Sequence, residues 1–146
     1  MRVYGAHVVE VADPFGGEPL GRLPLQSGAV ATSGVDARAW GRAAHHLLDP
    51  ATGAPAWTGV LAATALAGTA AEAEALAKAA LLAGPAAGAA VLASHGGALV
   101  LDDGSLRFLP GSAAPADPSW KRNPGLRLVP GDRTRRGSGQ ERQGTA

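Results

Sequence analysis

The sequence predicts an α+β domain over residues 1–110, a small mixed or antiparallel sheet carrying one long and one short helix, followed by a disordered basic tail over 111–146. Three observations predict it. The opening residues Arg2–Val11, RVYGAHVVEV, alternate in polarity and are rich in β-branched side chains, the pattern of a strand with one buried face. Thr69-Ala70-Ala71-Glu72 has the hydroxyl-to-carboxylate spacing of a capping box and leads into a run of strong helix formers. Beyond Pro110 the chain loses any sustained period and becomes dense in Pro, Gly, Ser and Arg, a composition that buries too little apolar surface to order itself.

The elements follow in order. The turn signal DPFGG closes the opening strand, and LPLQSGAVAT over 23–32 reads as a second strand ended by Ser33-Gly34. Ala43–Asp49 is a candidate third. WTGVLAATAL over 57–66 is a fourth, and its nearly continuous apolar character implies burial on both faces. The helix capped by Thr69 runs to Ala83, where Gly84-Pro85 stops it: glycine accepts the left-handed conformation and proline refuses continuation. A short helix over 86–93 comes next, and GALVLDDGSLRFLP reads as a hairpin around Asp102-Asp103-Gly104.

With 46% hydrophobic residues but only three Trp, two Phe and one Tyr, the core is expected to be small and aliphatic, with close backbone packing. The absence of cysteine excludes disulfides, thiolate catalysis and Cys-based zinc sites. The apolar helical stretch carries Glu72, Glu74 and Lys78, and no basic segment followed by an apolar one opens the chain. The expectation is therefore a soluble, cytoplasmic protein without a membrane span. Residues 1–110 hold six Lys/Arg against nine Asp/Glu, and 111–146 hold seven against three. The basic tail has no aromatic interleaving, so nucleic acid is not an expected partner.

One stretch concentrates polar chemistry: HHLLDPATGAP over 45–55. Asp49-Pro50-Ala51-Thr52 fits a type I turn, in which Asp49 accepts from backbone N–H groups, Pro50 presets φ and Gly53 takes a positive φ afterwards. Turn chemistry thus accounts for the carboxylate, the proline, the hydroxyl and the glycine. It does not account for two adjacent histidines. On a strand His45 and His46 face opposite sides and cannot chelate one metal together.

The order of GAVATSG at 28–34, HHLLDPATGAP at 45–55 and TALAGTAAEAEALAKAALLAG at 64–84 resembles the C-terminal half of the FAD:protein FMN transferases, the ApbE family. That family's pattern is an A-T-S-G strand end, an H-x-x-D-P-x-T-G-x-P loop, then a strand and a helix of the form A-D-A-x-A-T-A. His46, Asp49, Pro50, Thr52, Gly53 and Pro55 complete the loop pattern. The resemblance implies transfer of FMN from FAD onto a Thr or Ser hydroxyl of a flavoprotein, release of AMP, and assistance by magnesium. It implies His46 as the residue at the reacting phosphate, Thr32, Ser33 and Gly34 along the nucleotide pocket, and Asp49 and Thr52 shaping the loop.

Two departures stand out. Where the family's helix offers Asp and Thr as magnesium ligands, this sequence has Glu74 and Lys78. Glu74 is an oxygen ligand one methylene longer, and a charged lysine does not ligate, so Lys78 either pairs with Glu74 on the helix surface or sets its ammonium against phosphate. The family's N-terminal K-G-x-x-x-D and N-x-G-G-D segments are also absent. Activity is thus expected only with a complementary N-terminal chain or by self-association. The alternative is a truncated or degenerate, non-catalytic module that binds a flavin nucleotide or a partner.

Overall fold

The computed structural model describes residues 1–36, 39–40 and 44–111. The tail expected from residue 111 onward lies, but for Gly111, outside them. Strands β1 (Arg2–Val11), β2 (Gly21–Gly34), β5 (Val60–Ala67), β6 (Gly97–Leu101) and β7 (Leu106–Leu109) pair antiparallel throughout, in the order β1-β2-β5-β6-β7. Two short strands, β3 (Ala39–Trp40) and β4 (Ala44–His45), form a separate hairpin between β2 and β5.

The sheet curls. A Cβ placed on Gly21 at the start of β2 would stand 3.1 Å from Leu106 of β7, two strands beyond its own neighbour. Inside the curl lie Leu23, Leu25, Val30, Leu66, Val100 and Leu106. The opposite face of β5 and β6 presents Ala63, Ala65 and Leu99 to the helix residues Ala77, Ala80, Leu81 and Leu92. Ala63, Ala65, Ala77 and Ala80 have no exposed surface. A sheet and a helix faced with alanine approach closely because no large side chain holds them apart.

Helix α1 (Ala70–Leu92) begins with Thr69 at its N-cap, whose Oγ1 accepts a hydrogen bond from the Glu72 N–H at 3.2 Å. At Gly84 the backbone leaves helical space, with φ 81° and ψ −179°. The long and the short helix of the sequence reading are the two arms of α1, 70–83 and 85–92. The second arm folds back on the first: an added Cβ on Gly88 would lie 2.2 Å from the Ala80 carbonyl oxygen. His95, just past the second arm, comes 3.4 Å from Glu72 in the first turn. By length and a mean hydropathy of 1.6, α1 is the one helix among the described residues apolar enough to cross a membrane. Its break leaves a longer arm of about 21 Å at 1.5 Å per residue, against roughly 30 Å of bilayer hydrocarbon.

Three strand bounds differ from the sequence reading. β2 extends to Gly34, because its pairing with β5 continues through Ser33↔Ala63 and Gly34↔Ala62. β5 begins at Val60 rather than Trp57, because Gly59 takes φ 87° and the Thr58 hydroxyl turns aside to donate to the Leu81 carbonyl at 2.6 Å. The candidate strand at 43–49 shrinks to Ala44–His45, after which the chain bends. It then re-forms a narrow ladder, with a bridge between Leu48 and Pro55.

Candidate cleft between the Asp49–Thr58 loop and α1

The excursion from β2 to β5 carries most of the polar chemistry. Its tip is the turn that the sequence implies. The Asp49 carbonyl accepts from Thr52 N–H at 3.3 Å and Gly53 N–H at 2.8 Å, its carboxylate accepts from Ala51 N–H at 2.8 Å, and Gly53 has φ 69°. The stem is held by Asp49 N–H to the Ala54 carbonyl at 2.8 Å and Ala56 N–H to the Leu47 carbonyl at 3.0 Å. Leu47 is buried among Val35, Val60, Leu81 and Leu99, which anchors the stem to the core.

This loop stands against the end of the first arm of α1 and encloses a cleft of about 370 Å³. Asp49, Thr52, Trp57 and Thr58 line one wall and Leu82 and Ala83 the other. The two histidines that precede this loop in the chain have different surroundings. His45 is 1% exposed; its Nδ1 accepts from the Leu47 N–H at 3.2 Å, so the neutral ring carries its proton on Nε2. That Nε2 is buried without a hydrogen-bond partner among the described residues. The ring meets Trp57 edge-on, centroids 4.6 Å apart and planes at 86°. His46 is half-buried, and its Nδ1 likewise has no partner among the described residues.

The nucleotide-pocket residues on β2 are split by strand alternation. Thr32 is exposed and shares a 2.8 Å hydroxyl contact with Thr64, on the face away from α1. Ser33 is buried, paired opposite Ala63 on the helix side, and Gly34 returns to the Thr32 face. On α1, Lys78 donates to the Glu74 carboxylate in an i,i+4 pair that is largely solvent-facing. The hydrogen bond from Lys78, and then its charge, hold the Glu74 carboxyl below its ordinary range. Glu74, Lys78 and Leu82 succeed one another at helical spacing, so the pair lies along the stripe that ends at the cleft wall.

Among the described residues no group of three His, Asp or Glu converges as a metal site, and the Glu74 carboxylate is engaged by Lys78. These residues do not by themselves fit magnesium. Trp57, Thr58 and His45 were not indicated by the loop pattern. The signal for Trp57 was its rarity: one of three tryptophans, set directly after the motif in a chain poor in aromatics.

Comparison with known proteins bears on this architecture. Two solved structures are similar: the ApbE protein of Thermotoga maritima, 34% identical with a TM-score of 0.64, and the flavin transferase ApbE from Vibrio cholerae, 25% identical with a TM-score of 0.53. The first match covers 72% of this chain and 36% of the other, the second 76% and 37%. The chain therefore spans little more than a third of either structure. No curated protein matches it. The model of the ApbE family matches residues 1–101, a span that holds β1 to β6, α1 and the whole cleft, and the chain belongs to the ApbE family.

Proposed function

We propose that the chain is a flavin transferase-like protein that moves the FMN part of FAD onto a Thr or Ser hydroxyl of an acceptor flavoprotein and releases AMP. The observation that carries the reading is the cleft formed by the Asp49–Thr58 loop and α1, with His46 three residues before Asp49 along the chain, in a fold shared with a flavin transferase. The acceptor hydroxyl oxygen attacks the FMN phosphorus of the pyrophosphate. An O–P bond forms there, the bridging O–P bond breaks, and AMP leaves with the electron pair. His46 takes the hydroxyl proton as general base.

Asp49 and Thr52 keep the loop in the conformation that presents His46. Thr32, Ser33 and Gly34 contribute to the nucleotide pocket, with Thr32 and Gly34 on one face and Ser33 on the other. Lys78 supplies positive charge toward phosphate oxygens, oriented by Glu74.

The alternative, a non-catalytic module of the family that binds a flavin nucleotide or a partner, is favoured by the Glu74–Lys78 pair, which engages the carboxylate that a metal would need. One experiment separates the two. The chain is incubated with FAD, magnesium and an acceptor protein, with and without a polypeptide carrying the absent K-G-x-x-x-D and N-x-G-G-D segments, and AMP is measured. AMP release in either arm supports transfer. No AMP in both, with FAD still bound, supports the binding module.

A further inference from the structure

Trp57 combines properties that rarely occur together. It is 58% exposed although it lines a concave cleft. It is also fixed. Backbone bonds from Ala56 and the hydroxyl of Thr58 hold both flanks, and the buried His45 ring abuts it edge-on. His45 is spent on this contact: one nitrogen serves the Leu47 N–H, and the other, buried, donates to no oxygen or nitrogen among the described residues. An immobilised aromatic ring left open on a cleft whose rim carries Asp49, Thr52 and Thr58 is a surface for another flat ring, because ordering it costs little at the moment of binding.

We propose that Trp57, positioned by His45, is the stacking platform of the cleft and takes the planar fused heteroaromatic ring of a nucleotide. The inference rests on the flavin reading and makes it more specific: the ligand has two such rings, isoalloxazine and adenine, and Trp57 takes one of them.

The test uses the full chain with Trp40→Phe and Trp120→Phe, so that Trp57 is the sole indole. FMN and AMP are titrated separately while indole emission is followed with inner-filter correction. Quenching by FMN alone assigns isoalloxazine, quenching by AMP alone assigns adenine, and either supports the proposal. FAD affinity is then measured by calorimetry for the parent, Trp57→Phe and Trp57→Ala, with circular dichroism as the check on folding. Stacking predicts about a tenfold or greater loss of affinity in Trp57→Ala and near-retention in Trp57→Phe. Unchanged FAD affinity in a folded Trp57→Ala protein overturns the platform and leaves the flavin reading standing. AMP binding at Trp57 without FAD binding overturns the flavin reading and keeps a purine platform. Binding of none of FAD, FMN or AMP overturns both.

Discussion

At the scale of single residues, the adjacent histidines separate structure from chemistry. His45 is enclosed, bonded to the Leu47 N–H and packed on Trp57. His45→Ala should destabilise the chain by about 2–3 kcal/mol in urea unfolding, through lost packing and an unmatched N–H. His46 is half-buried and contributes no hydrogen bond among those described from its buried Nδ1. His46→Ala should leave the urea midpoint nearly unchanged and, on the proposed transferase reading, lower AMP release from FAD by about a hundredfold or more. Equal losses of stability in both variants would contradict this division. The Glu74–Lys78 pair gives a pH prediction. The folded Glu74 carboxyl titrates below its ordinary range because of Lys78. The pair's contribution is therefore present above the carboxyl's unfolded value and is lost as pH falls through the lower folded value. The difference in urea midpoint between parent and Glu74→Gln should be small at neutral pH, shrink with added salt, and vanish in acid.

At the scale of elements, the break in α1 is the most exacting feature. Gly84 occupies a region of backbone space open essentially to glycine alone, and Gly88 brings its Cα against the Ala80 carbonyl. Gly84→Ala should cost about 1–3 kcal/mol from backbone strain, and Gly88→Ala a comparable amount from overpacking, both read by thermal or urea unfolding. Thr69→Ala should cost about 1 kcal/mol through the lost cap. Features written in neighbouring residues were legible in the sequence. The alternation of Arg2–Val11, the Thr69 cap, the Gly84-Pro85 break and the Asp49–Gly53 turn each follow from local stereochemistry. Features fixed by partners far along the chain were not. Nothing near Trp57 announces that Thr58 will hook onto Leu81 and delay β5 to Val60. No local pattern says that the second arm of α1 returns to set His95 beside Glu72. Of the candidate site, the loop was legible as a motif. The wall facing it, Leu82 and Ala83, reads in sequence as ordinary helix, and Trp57 reads as a core strand residue.

At the scale of the whole molecule, β1 forms one border of the sheet, with Tyr4 75% and Val8 65% exposed on its outer face. An apolar, ten-residue border strand is a template for pairing with other chains. Val8→Lys should reduce concentration-dependent association of the isolated chain, measured by light scattering, without moving its unfolding midpoint. The strand order also separates scaffold from site. β2 pairs directly with β5, yet everything from Val35 to Gly59 is inserted between them. Apart from the buried Val35, His45, Leu47 and Ala56, the described side chains of this insertion stand partly or fully exposed on a platform whose strands pair without them. Drift in the exposed residues of the insertion can therefore silence a descendant while its melting curve stays intact, and a screen for foldability among such descendants would be blind to which of them still work.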